Sequence, residues 1–175
     1  HAEYLEQMAG KFFDLLQKYH GLGERERLLL RLAAILHDCG KFISMSATGE
    51  CAYQIIMSTE ILGISHMERE MVASIVRYNT MELPNFNEFD GKLGNDEYLI
   101  VMKLAAILRV CNALDRSHRQ KFADMKLTIN DSNIVITTAY PDNITLEKKT
   151  LQDKQDFFEE VYGLGFEIKQ KKKKQ

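Results

Sequence analysis

The feature that most constrains the fold is a change in hydrophobic periodicity near residue 124. Before this point, apolar residues recur at intervals of three and four, which is the spacing of amphipathic helices. Residues 126–130 and 133–139 instead alternate between apolar and polar side chains, as in a β-hairpin. Residues 146–162 return to helical spacing, and residues 165–169 predict one more strand. The sequence therefore predicts a mainly α protein, with a helical bundle followed by a small α+β (β-β-α-β) unit.

The same change in pattern predicts how the chain is divided. We place a helical domain at residues 1–122 and the small α+β unit at residues 123–170. Residues 171–175 form a basic, low-complexity tail that we expect to be solvated and disordered.

The bundle is predicted to contain five helices, separated by glycine-containing turns or polar loops. Ser65 and Glu68 have the spacing of a capping box, which predicts the start of the fourth helix. Asn95 or Asp96 is expected to cap the fifth helix, after a loop at residues 81–94 that contains Pro84, two Gly and three Asn or Asp residues. The predicted helices span residues 1–19, 24–38, 51–62, 65–80 and 95–117.

Composition excludes several classes of protein. The 175 residues are 45% hydrophobic and carry a formal charge of −2, so nothing in the overall charge calls for a nucleic-acid partner. Cys39, Cys51 and Cys111 are odd in number and lack the spacing of a zinc ribbon or a disulfide framework, which favours a reducing, cytoplasmic setting. The longest apolar stretch, residues 28–36, contains Arg31 and is too short to span a membrane. Because the chain lacks an initiator Met, we expect it to be part of a longer protein.

The strongest chemical signal is His37-Asp38, at the end of the second predicted helix and followed by Cys39-Gly40-Lys41. Imidazole and carboxylate are both good ligands for Mn, Fe, Zn or Mg, so the pair predicts a divalent metal site. The alternative is a structural helix end, where His is favourable. This string resembles the H-D-x-G-K signature of the HD superfamily of helical, metal-dependent phosphohydrolases. His1 is a candidate first ligand on a separate helix. The alternative is that it is a frayed terminal residue or the remnant of a purification tag.

Positive side chains are the candidates for binding phosphate. Arg116, Arg119 and Lys121 form a basic cluster with His118, and guanidinium groups match phosphate oxygens well. The alternative is a solvated helix end, where cations interact favourably with the helix dipole. The predicted phosphate-binding residues are Lys41, Arg77, Arg116, Arg119 and Lys121.

Several segments together resemble one family over essentially the whole chain. They are His1-Ala2-Glu3, LAAILHDCGKFIS, ILGISHMEREMVASIVRYN, LAAILRVCNALDRSHRQ and the closing β-β-α-β pattern. In this order they resemble the C-terminal half of the exopolyphosphatase and guanosine pentaphosphate phosphohydrolase (Ppx/GppA) family. The resemblance implies that His1 matches the first histidine of the HD-like site.

The resemblance also implies a division of labour within the parent protein. In the family, an N-terminal actin-like half removes a phosphate from polyphosphate or guanosine pentaphosphate with Mg²⁺. The HD-like half is thought to extend the channel for polyphosphate and to support a homodimer. The glycine-rich phosphate loops of the catalytic half do not occur in this chain, so we expect no catalytic residue here.

Departures from the family pattern predict a degenerate metal site made of His1, His37 and Asp38. Asn79 stands where members often have His, and Asn112 stands in place of the late aspartate. Asp115 lies nearly one helical turn further on and is an uncertain substitute. The favoured function is an accessory domain that helps bind the phosphate chain and supports dimerisation. An independent metal-dependent phosphohydrolase acting on nucleotides or phosphate esters, and a purely structural dimer interface, remain open.

Overall fold

The fold is seen in a computed structural model that describes residues 1–89 and 92–171. The helices are α1 (Ala2–Leu15), α2 (Gln17–His20), α3 (Glu24–Leu36), α4 (Thr48–Met57), α5 (His66–Thr80), α6 (Asn95–Leu114) and α7 (Thr145–Tyr162). The strands are β1 (Lys126–Asn130), β2 (Asn133–Thr138) and β3 (Gly165–Gln170). Short 3-10 turns occupy Cys39–Phe42 and Phe86–Glu88. The predicted helical bundle followed by a β-β-α-β unit is confirmed.

Some predicted helix boundaries were wrong. The first predicted helix is interrupted at Leu16, which ends α1 and precedes α2. The third was placed at residues 51–62, but α4 begins at Thr48 and ends at Met57. Gly94, and not Asn95 or Asp96, is the N-cap of α6. The capping box that begins α5 is confirmed, because Glu68 N–H donates to Ser65 Oγ over 3.1 Å. Residues 172–175 of the predicted tail lie outside the described residues.

Close backbone packing explains why α4 begins early. A Cβ atom added to Gly40 would lie 2.0 Å from the carbonyl oxygen of Thr48, and one added to Gly49 would lie 2.7 Å from that of Arg77. The first turn of α4 is therefore held between the turn that follows α3 and the end of α5. Only glycine, without a Cβ atom, allows this approach.

One hydrophobic cluster runs through both the bundle and the small sheet. The strand order is β1-β2-β3, with β1 and β2 antiparallel, and β2 and β3 parallel across the α7 connection. The ring of Phe12 in α1 meets that of Phe166 in β3 edge to face, with centroids 6.5 Å apart. The hydroxyl of Tyr162 in α7 donates to the carbonyl of Lys103 in α6 over 2.9 Å. The α+β unit is thus packed directly on the helices that carry the candidate site.

Arg109 closes the end of α5. Its Nε–H donates to the Tyr78 carbonyl over 2.6 Å, and its guanidinium also donates to the Met81 carbonyl. The same group lies 4.4 Å from the ring centroid of Phe157 in α7. Carbonyl groups at a helix C-terminus lack partners within the helix, so Arg109 stabilises the C-terminal end of α5. None of the described helices has the length and apolar content needed to cross a membrane.

Candidate metal centre

His37 is the C-cap residue of α3, and the residue is 2% exposed. Its Nδ1 lies 2.7 Å from the carbonyl oxygen of Ala34, an atom that can only accept a hydrogen bond. Nδ1 is therefore the donor in this contact, and in the neutral ring Nε2 carries the lone pair. That Nε2 is buried and has no hydrogen-bond partner among the described residues. The end of α3 thus presents a preorganised ligand atom.

His1, the N-cap residue of α1, presents the same atom from another element. Its Nδ1 lies 2.6 Å from Oδ2 of Asp115, at the end of α6. Its Nε2 is buried and, within the described residues, has no hydrogen-bond partner. The start of α1 and the ends of α3 and α6 therefore meet at one end of the bundle.

Asp38 completes the cluster. Its Oδ1 lies 3.3 Å from Nε2 of His37, and its Oδ2 accepts a hydrogen bond from Nζ of Lys41 over 2.7 Å. One potential ligand atom from each of His1, His37 and Asp38 lies within 4.8 Å of the others. Two imidazole nitrogens and one carboxylate oxygen suit Mn, Fe or Zn, and three protein ligands leave a coordination position open. These residues fit a divalent metal.

Burial favours the protonation state of His37 that a metal needs. Burial lowers the pKa of His37 below its ordinary value, and the nearby Asp38 carboxylate opposes this shift. A neutral imidazole is the form that binds a metal ion.

Asp115 joins the cluster to the turn that follows α6. The carboxylate is 1% exposed, and its Oδ1 accepts a hydrogen bond from the backbone N–H of Gln120 over 2.8 Å. Burial raises the pKa of Asp115, and the hydrogen bond from Gln120 opposes that shift. His118 and Gln120 adopt left-handed conformations, with φ of 55° and 52°. Such backbone strain in non-glycine residues often accompanies a functional site.

His118 lies against His1. Their rings are nearly parallel, at 9°, with centroids 3.9 Å apart. Sequence reasoning placed His118 in a basic cluster, with a solvated helix end as the alternative, and treated Asp115 only as an uncertain substitute ligand. The residues in each contact are more than a hundred positions apart, so no local pattern could have indicated them.

Three of the five predicted phosphate-binding residues are paired with carboxylates. Lys41 contacts Asp38, as described above. The other two pairs lie elsewhere: Arg77 contacts Glu50 over 2.9 Å, and Lys121 contacts Glu147 over 2.9 Å. Lys121 is also buried, 8% exposed. The structure therefore does not bring all the predicted cations together.

Arg116 and Arg119 differ from these three. Both are exposed, and no ion pair involves either side chain within the described residues. They flank His118 in the sequence, and His118 lies against His1. The turn that carries both arginines therefore borders the candidate ligand cluster of His1, His37 and Asp38.

Asn79 and Asn112, where the sequence departs from the resemblance described above, have different surroundings. Asn79 is 3% exposed, and neither its amide nitrogen nor its amide oxygen has a hydrogen-bond partner among the described residues. Asn112, on α6, is half-buried.

Comparison with known families agrees with this architecture. A family model described as Ppx/GppA phosphatase, domain III, matches residues 1–156. The chain belongs to the Ppx/GppA phosphatase family. The resemblance predicted from His37-Asp38 and the surrounding segments is thereby confirmed, and the Ppx/GppA match extends from the start of α1 into α7. A search of curated proteins found no match.

Proposed function

We propose that this chain is an accessory domain that helps a Ppx/GppA phosphatase bind polyphosphate or guanosine pentaphosphate. In this proposal His1, His37 and Asp38 hold a divalent metal ion, and Arg116 and Arg119 contact the phosphate chain beside it. Hydrolysis of the phosphoanhydride bond takes place in a separate N-terminal actin-like part that uses Mg²⁺. The domain also supports a homodimer, and the whole protein is cytoplasmic.

The observation that carries the proposal is the pair of Nε2 atoms of His1 and His37. Both are buried, and neither has a hydrogen-bond partner among the described residues. In a neutral imidazole whose proton is on Nδ1, this nitrogen is an acceptor. Leaving a buried acceptor unpaired costs about 1–3 kcal/mol, so two such atoms beside a carboxylate favour a bound ligand. A metal ion would supply positive charge and an open coordination position that a phosphate oxygen could occupy.

The free guanidinium groups support the phosphate part of the proposal. Lys41, Arg77 and Lys121 already have carboxylate partners, whereas Arg116 and Arg119 have none among the described residues. Arg116 and Arg119 are therefore the predicted cations best able to contact phosphate, since guanidinium groups bind phosphate oxygens in a fork. The roles predicted for the three paired residues stay predictions.

The salt dependence of polyphosphate binding tests this proposal. Each lost phosphate contact should reduce the slope of log K against log salt by about 0.7–0.9. The double variant Arg116→Gln/Arg119→Gln should therefore show a shallower slope than the unchanged protein. The control Lys18→Gln/Lys154→Gln removes the same charge from exposed positions elsewhere on the surface. An equal effect of both doubles, or no binding by the unchanged protein, would exclude a specific phosphate site at the turn.

A second candidate function is independent metal-dependent phosphohydrolysis, and the open position of a three-ligand site favours it. The test is turnover of nucleotides and phosphate esters by this chain in Mn²⁺ or Mg²⁺. Turnover that His37→Ala abolishes would support this function. Turnover that survives the substitution would come from another source.

A further inference from the structure

Asp115 contacts both the candidate ligand cluster and the turn that carries Arg116 and Arg119. Its Oδ2 lies 2.6 Å from Nδ1 of His1, and its Oδ1 accepts the backbone N–H of Gln120 over 2.8 Å. An ionised carboxylate can only accept hydrogen bonds, so Nδ1 of His1 is the donor in this contact. In the neutral ring, whose single proton is then on Nδ1, Nε2 of His1 carries a lone pair.

The two candidate histidine ligands are thus oriented in the same way by different partners. The Ala34 carbonyl accepts from Nδ1 of His37, and the Asp115 carboxylate accepts from Nδ1 of His1. In metal sites, a carboxylate or carbonyl that accepts the second ring N–H fixes the histidine tautomer and makes the other nitrogen a better ligand.

We propose that Asp115 is a positioning residue. It holds His1 as the Nδ1–H tautomer, and so makes Nε2 the metal-facing atom. At the same time it fixes the turn that carries Arg116 and Arg119. The ligand part of this inference rests on the proposed metal site, whereas the tautomer of His1 can be measured without any metal.

An amide at this position cannot replace the carboxylate. Two donors, Nδ1–H of His1 and N–H of Gln120, face the two oxygens of Asp115. Asparagine offers one oxygen and one NH₂ group. If the NH₂ group faces His1, it drives the ring proton to Nε2 and blocks the ligand lone pair. If the NH₂ group faces Gln120, it opposes the backbone N–H of Gln120, which is also a donor. The hydrogen bond that fixes the turn is then lost.

The first measurement is long-range ¹⁵N–¹H NMR of the histidine rings in the metal-free protein above pH 7.5. The His1 signals are identified by their loss in His1→Gln. We expect the Nδ1–H tautomer in the unchanged protein, and a shift toward Nε2–H, or a mixture, in Asp115→Asn. The control Asp96→Asn, at an exposed position in the first turn of α6, should leave the His1 signals unchanged. An Nε2–H tautomer in the unchanged protein overturns the proposal, even if Asp115→Asn does not fold.

The second measurement is Mn²⁺ or Zn²⁺ affinity by competition with a chromogenic chelator. Loss of a carboxylate that supports a ligating histidine typically weakens metal binding about 10–100-fold, and we expect a loss of that size in Asp115→Asn. Equal affinities in Asp115→Asn and the unchanged protein overturn the positioning role. If the unchanged protein shows the Nδ1–H tautomer but binds neither metal, the metal site of the proposed function fails. The role of Asp115 in preparing His1 as a metal ligand then fails with it, although its hydrogen bond to His1 stands.

Discussion

The imidazole rings of His1 and His118 lie face to face, with their centroids 3.9 Å apart. This contact covers one face of His1 with a residue from the turn after α6. Because the two ring planes are nearly parallel, their in-plane lone pairs do not converge on one point. His118 therefore supports His1 by contact, and we do not expect it to bind a metal ion together with His1.

The role of His118 can be tested by keeping the flat ring and removing its nitrogens. In His118→Phe, an aromatic ring can still pack on His1, so we expect metal content close to that of the unchanged protein. In His37→Ala a ligand is lost, and we expect metal content to fall to background. Elemental mass spectrometry on protein that has not met a chelator measures both. A metal-free His118→Phe would mean that His118 is a ligand.

Gly40→Ala should destabilise the protein severely. The new Cβ atom would lie 2.0 Å from the Thr48 carbonyl oxygen and 2.6 Å from the Ala52 nitrogen, both of which are backbone atoms that cannot swing away. We expect a loss of roughly 3 kcal/mol or more in the free energy of unfolding, measured by urea denaturation. Gly10→Ala is the matched control, because its nearest neighbour is the flexible guanidinium of Arg27 at 3.0 Å. If the two variants are equally stable, α4 does not pack on the turn as closely as described.

The buried His20 should make stability fall in mild acid. Its Nδ1 accepts from Leu22 N–H over 2.9 Å, and its Nε2 donates to the Phe13 carbonyl over 2.9 Å, so the ring is held neutral. Burial lowers the pKa of His20 below its ordinary value of 6.5. At a pH between the two pKa values, His20 binds a proton in the unfolded chain but not in the folded protein. Stability is therefore fully present above about pH 6.5, and is lost as the pH falls from there through the folded pKa.

The contribution of His20 appears in the slope of unfolding free energy against pH. A single group contributes at most about 1.4 kcal/mol per pH unit, and below pH 6.5 His20→Gln should have a shallower slope by up to that amount. His66→Gln is the control, since His66 is exposed on α5. Identical slopes for His20→Gln and the unchanged protein would show that His20 is protonated without cost.

The buried pair of Lys121 and Glu147 should be sensitive to the loss of either partner. Glu147 is 0% exposed and contacts Nζ of Lys121 over 2.9 Å. Removing one partner of a buried ion pair typically costs about 3–5 kcal/mol, because the other charge is left buried. We expect such a loss for Lys121→Met, and recovery of much of it in the double variant Lys121→Met/Glu147→Leu. Urea denaturation measures the full cycle.

The same double variant tests the phosphate role that the sequence predicts for Lys121. If Lys121 acts only within the ion pair, the double variant should keep the salt dependence of polyphosphate binding seen in the unchanged protein. A shallower slope would place Lys121 in contact with the phosphate chain.

Local patterns were enough to predict most elements of the fold. Ser65 and Glu68 predicted the start of α5, since a capping box is a property of four consecutive residues. The start of α4 could not be predicted, because it depends on the close approach of Gly40 and Gly49 to backbone atoms of other segments. Tertiary packing decided where that helix begins.

The sequence likewise predicted only the part of the candidate site that is formed by neighbouring residues. His37-Asp38 was visible because both residues are adjacent, at the end of an apolar helix. The contacts of His1 with Asp115 and His118 depend on the whole bundle bringing distant helix ends together. The pairing of Lys121 with Glu147 likewise depends on how α7 packs, and a cluster of like charges in the sequence carries no information about it.

The contact between Phe12 and Phe166 has a consequence for the order in which this protein can become functional. Helix α1, whose N-cap residue His1 is a candidate ligand, packs against β3, the last strand of the sheet. During synthesis, α1 leaves the ribosome long before the strand that helps to hold it in place. We therefore expect His1 and His37 to reach their final separation only after β3 has been made.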